Sequence, residues 1–132
     1  MSAVNKLMVK IRLKLNDLEL KIYSPYEVME AINDAKQDLL TTAEKYYASY
    51  SFKYSKHDIE TGDDDSGWPD IFDNTIVDYA VIVLSQGDYL AKEQAKEYWR
   101  KKAIGLLARY STETGIEIRD YHDFPYGNDG GQ

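Results

Sequence analysis

Carboxylates crowd one stretch of this chain: Asp58, Glu60, Asp63, Asp64 and Asp65 all fall within SFKYSKHDIETGDDDSG, residues 51–67. Oxygen donors at that density are what a calcium or magnesium ion requires. A helix-loop-helix calcium site also needs a glycine at its sixth position and a bidentate Glu at its twelfth. Counted from Asp58 the sixth residue is Asp63, and counted from Asp63 it is Trp68, so neither register fits. The stretch is expected to be a solvated acidic loop with no metal.

His57 and His122 each precede an aspartate. Neighbours on an extended chain point to opposite faces, so Asp58 and Asp123 are poorly placed to orient them as general bases. There is no cysteine, no serine in a strand-turn-helix elbow and no glycine-rich phosphate loop. The expectation is a protein that is not an enzyme, with no catalytic residues and no cofactor.

Lys92, Lys96, Arg100, Lys101 and Lys102 make a basic run, but Glu93 and Glu97 interleave with it. Pairs such as Asp88 with Lys92 and Glu97 with Lys101, four residues apart, fit a solvated helix face. A nucleic-acid-facing patch is the alternative. The whole chain carries a formal charge of -7, with 23 acidic against 16 basic residues, which opposes general binding to phosphate backbones.

The elements that must position these residues follow from periodicity. At 132 residues the chain fits one domain that buries roughly two thirds of its unfolded surface. No apolar run approaches the roughly 20 residues of a membrane span, and the N-terminus lacks a secretion-signal pattern. A soluble intracellular product without disulfides is expected.

Residues 3 to 15 carry two patterns. Val9, Ile11, Leu13 and Leu15 alternate as on a strand, while Val4, Leu7, Met8, Ile11 and Leu15 fall at helical spacing. The helical match spans more turns and is preferred, ending at Asn16-Asp17.

Ser24-Pro25-Tyr26-Glu27 predicts a helix start with a capping box, and the stripe Val28, Ile32, Ala35, Leu39 and Ala43 carries that helix to about Tyr50. Trp68 to Tyr110 reads as two amphipathic helices folded back at Gly87-Asp88. The first buries Phe72, Ile76, Tyr79, Ala80, Val83 and Leu84 and closes at Gly87. The second, capped by Asp88, carries Tyr89, Ala95, Trp99, Ala103, Leu106, Leu107 and Tyr110, and ends before the Thr114-Gly115 break.

The fold class is therefore mainly α: four helices over residues 1–115, a short irregular or β insert at 51–67, and an extended tail at 116–132. Twelve tyrosines and the surplus apolar edge on the last helix point to assembly, since Tyr supplies wide amphipathic contact at low entropy cost. Tyr89, Tyr98, Trp99 and Trp68 are the candidate inter-subunit residues. Ile116, Ile118, Tyr121, Phe124 and Tyr126 are candidate partner-binding anchors on a tail that orders on docking.

The order of these features resembles the head-tail connector, or adaptor, proteins of tailed bacteriophages. The likeness rests on the Leu15-Asn16-Asp17 turn, the Ser-Pro capped helix with Ile32-Asn33-Asp34-Ala35, the Trp68-Pro69-Asp70 entry, and the closing helices joined through Gly87-Asp88-Tyr89. It covers about residues 4 to 110. The resemblance implies a structural virion protein at the head-tail neck, made in the host cytoplasm, forming a homo-oligomeric ring that is typically a dodecamer. Its implied partners are the portal protein and a tail or head-completion (stopper) protein, with DNA passing through the channel without specific binding and no membrane involved. The runner-up is a small helical regulatory or nucleic-acid-binding protein.

Overall fold

A computed structural model of the chain describes residues 2–46, 62 and 64–114. Among them are four α-helices: α1 Val4–Leu15, α2 Pro25–Tyr46, α3 Asp73–Leu84 and α4 Tyr89–Thr114, with a single 3-10 turn, Asp70–Phe72, leading into α3. The mainly α, four-helix expectation holds.

Of residues 3 to 15, Val4–Leu15 resolve as helix. Val4, Leu7, Met8 and Ile11 are all buried, whereas strand alternation would have sent half of that set to the opposite face. Asn16 ends α1 in the left-handed conformation (φ 57°), with its N–H and that of Asp17 returning to the Leu13 and Arg12 carbonyls at 3.2 and 2.9 Å. Asn tolerates that backbone better than most side chains do.

The start of α1 has no side-chain cap. Its orphan N–H groups find distant acceptors instead: Val4 N–H donates to the Asp64 carbonyl at 2.8 Å and Asn5 N–H to the Gly62 carbonyl at 3.0 Å. An antiparallel bridge joins Ala3 to Asp65. The acidic stretch thus contributes backbone acceptors; Asp58, Glu60, Asp63 and His57 lie outside the described residues.

At α2 the capping box forms as expected. Ser24 N–H donates to Glu27 Oε1 at 3.0 Å, and Glu27 N–H to Ser24 Oγ at 3.1 Å. The buried stripe is Val28, Ile32, Ala35, Leu39 and Ala43, widened by Ala31 and Leu40.

One expected boundary is corrected. α3 closes at Leu84, where Ser85 turns extended (φ -64°, ψ 149°) and its N–H returns to the Val81 carbonyl at 2.9 Å. Gly87 takes no left-handed φ, so its conformational freedom is not what ends the helix. Asp88 does cap α4, its Oδ1 accepting from Ala91 N–H at 2.7 Å.

Side-chain ties fix the helix directions. Ser2 donates to Asp73, bringing the start of α1 to the start of α3. Tyr23 Oη donates to the Leu84 carbonyl at 2.7 Å, so the α1–α2 loop and the end of α3 share one end of the bundle. Lys92 Nζ reaches the Val83 carbonyl at 3.1 Å and Trp99 Nε1 the Thr75 carbonyl at 2.7 Å, setting α4 antiparallel to α3. The order is up, down, up, down, with α3 packed on the other three helices. Trp68 and Phe72, both fully buried, cross edge to face at 5.1 Å and close the core at the opposite end, where Phe72 also meets Tyr110 at 5.4 Å.

Candidate interaction surfaces

The loop between α1 and α2 is organised by one carboxylate. Asp17 Oδ1 accepts from the N–H groups of Lys21 and Ile22 at 3.0 Å each, and Oδ2 from Tyr23 N–H at 2.9 Å. Arg12 Nη1, buried at the end of α1, adds a 3.0 Å ion pair to Oδ2 and donates to the Tyr23 carbonyl at 2.9 Å. Burial alone would raise the Asp17 pKa. The three N–H donors and the Arg12 charge outweigh it and hold the carboxyl below the usual Asp range.

This scaffold holds Leu20 at φ 61°, a region that costs a non-glycine residue on the order of 1–2 kcal/mol. The loop presents Leu18, Leu20 and Ile22 to solvent at 58, 55 and 59% exposure. Glu19 and Lys21 alternate with them and pair with each other at 3.2 Å. Single exposed aliphatics are ordinary, but three at alternate positions of one strained and anchored loop form an apolar edge. Exposed Tyr26, Tyr89 and Leu90 belong to the same end of the bundle.

A second apolar feature is a groove of about 500 Å³ between α3 and α4, floored by Ile82, Ala95, Trp99, Ala103 and Leu106. Exposed Tyr98 forms its lip, with Lys102 Nζ lying 5.2 Å from the Tyr98 ring centroid. Asp78, which holds Lys14 at 3.1 Å, also lines it. The groove is thus apolar within and carries one charge of each sign among its lining residues.

A third feature, about 770 Å³ and polar, lies between α2 and α4. At its base Asp38 receives Arg100 through Nε at 2.9 Å and Nη2 at 2.8 Å, and the Tyr79 hydroxyl at 2.8 Å. Burial works to raise the Asp38 pKa, yet these donors together with the charges of Arg100 and Lys96 bring it below the ordinary value. The Tyr79 phenol is pushed up by burial and by donating to Asp38. A carboxylate engaged this fully is a poor proton acceptor, so the constellation serves as a tie between three helices rather than as a general base.

The basic run on α4 is largely engaged within the chain. Arg100 holds Asp38 and Glu97 (2.6 Å), Lys96 pairs with Glu93 at 3.3 Å, and Lys92 reaches the Val83 carbonyl. The expected four-residue pairs give way to three-residue ones, because Lys92 and Arg100 are drawn inward to α3 and α2.

Of the candidate inter-subunit residues, Tyr89 and Tyr98 stand exposed on α4. Trp68 and Trp99 are corrected. At 0 and 5% exposure they are core residues with almost no surface to offer a neighbour; Trp99 also stacks edge-on to Tyr79 at 4.7 Å. Ile116, Ile118, Tyr121, Phe124, Tyr126 and His122 lie outside the described residues.

Sequence reasoning missed the loop edge and the Asp38 tie. The alternation Leu18-Glu19-Leu20-Lys21-Ile22 was a usable signal for the first. Nothing local marks the second, since Asp38, Tyr79 and Arg100 sit on three different helices. In comparison with known proteins, the chain matches no family model, no curated protein and no solved structure.

Proposed function

We propose that this protein is a structural adaptor subunit of the tailed-phage neck. Copies assemble head to tail into a ring between the portal and the tail or the next neck ring, extending the DNA channel. The observation that carries this reading is that a subunit with a closed core still presents two unlike apolar surfaces, a protruding loop edge and a recessed groove. A cyclic ring built from one repeated contact needs two different faces on every subunit. Among the described residues Asp38, Arg100, Lys96 and Lys92 are engaged within the chain, and the net charge of -7 suits a wall past which DNA slides without being gripped.

Co-sedimentation with the cognate portal ring, followed by imaging of the particle neck with and without this protein, tests the reading. Binding to the portal and a missing density layer in its absence are expected. Failure to associate with portal and tail components alike overturns it. Deleting residues 116–132 is expected to weaken portal docking. The nucleic-acid alternative predicts a salt-dependent shift of duplex DNA that is lost when Lys96, Arg100 and Lys101 are neutralised.

A further inference from the structure

We propose that the Leu18-Leu20-Ile22 edge of one copy seats in the α3/α4 groove of a second copy, making the repeated contact of the assembly. This rests on the ring reading for its biological setting, but its geometry is carried by the subunit itself.

The two surfaces are complementary in charge and both are apolar. The edge alternates aliphatic side chains with Glu19 and Lys21, which are about three quarters exposed and bonded only to each other among the ion pairs described. The groove offers the partly exposed Ile82 and Leu106, with Asp78 and Lys102 as its charged lining. On docking Glu19 meets Lys102, and Lys21 joins Lys14 at Asp78, which already holds Lys14 at 3.1 Å, while the aliphatic side chains leave water.

Pre-organisation favours this occupant. The Asp17 hub fixes the backbone of residues 21 to 23 before any encounter, so little loop entropy is lost on docking. Leu20 at positive φ is the kind of strain found where a segment must meet a partner. Edge and groove are different surfaces, so a head-to-tail repeat leaves each end copy with one open partner surface until a ring closes, whereas a reciprocal two-fold pair would consume both at once. A five-residue edge is small beside the roughly 1,200 Å² of a stable interface. The single contact is therefore weak, and closure or a portal template multiplies it.

The cysteine-free chain permits a clean test with Glu19→Cys and Lys102→Cys, both at exposed positions. Each single variant, the mixture of the two and the double variant are treated with a short bismaleimide cross-linker at high protein concentration, and again on the cognate portal ring. The expected result is no cross-link for either variant alone, dimers only for the mixture, and a ladder of oligomers for the double variant. A Glu19→Cys homodimer, or no link between the two positions in either setting, overturns the contact. Glu19→Lys in the wild-type background is expected to weaken self-association about threefold to tenfold, with Lys102→Glu in the same chain restoring it. A ladder without portal binding sinks the adaptor reading and keeps the contact; portal binding without the link does the reverse.

Discussion

Asp17 is the residue on which the loop geometry turns. Arg12→Met removes a cation but leaves three N–H donors to hold the carboxylate. Asp17→Ala leaves those donors without their acceptor and strands the guanidinium in a buried site, where an unpaired charge is costly. Urea unfolding is therefore expected to give a lower midpoint for Asp17→Ala than for Arg12→Met; coincident midpoints would remove Asp17 from its role as hub. The acid response follows from the same groups. Asp17 and Asp38 both titrate below the unfolded Asp value of about 3.9. Their stabilisation is thus complete above that value and is lost as pH falls through the folded pKa. The melting temperature is expected to stay level between about pH 7 and 5 and to drop below about pH 4, with a shallower drop in Asp38→Asn. Asn16-Asp17 is legible as a helix stop, but the partner of Asp17 is not, because Arg12 lies between Lys10 and Lys14 and nothing in that run marks it as the one cation that turns inward.

At the level of single helices, local chemistry was easiest to read. Ser24, Pro25 and Glu27 announce α2 through a reciprocal cap that needs no tertiary contact. The three-four stripes named most of the core, including Val28, Ile32, Ile76 and Leu107. Segment 3 to 15 was ambiguous because Val9 and Leu13, both exposed, mimic a strand's alternation. They lie off the packed face and answer to the outside of the molecule. Ser24→Ala is expected to lower stability by about 1 kcal/mol. Gly105 lies within α4, and a Cβ there would meet nothing within 4 Å, so Gly105→Ala is expected to raise stability by about 0.5–1 kcal/mol. Chemical denaturation of the two variants measures both, and a destabilised Gly105→Ala would show that this position is not an ordinary exposed helix site.

For the whole molecule, composition made the helical class legible and left the surfaces opaque. Trp68 and Trp99 read as contact residues because large aromatics favour interfaces, yet a chain with only three phenylalanines draws on both indoles to fill its own interior. Which apolar groups remain outside depends on how four helices divide the core, and no window of sequence holds that information. Leu20→Gly separates folding from assembly. Glycine relieves the left-handed backbone at that position, so the melting temperature is expected to hold or rise while self-association falls. A variant that melted higher and assembled normally would leave the loop edge without a role.

The backbone bridge at the foot of α1 also bears on how the protein is made. The N–H groups of Val4 and Asn5 meet carbonyls at Asp64 and Gly62, so the start of α1 gains these acceptors only once α2 and the acidic stretch, which follow it in the chain, have been made. During that interval the nascent α1 has an open start and an uncovered apolar face.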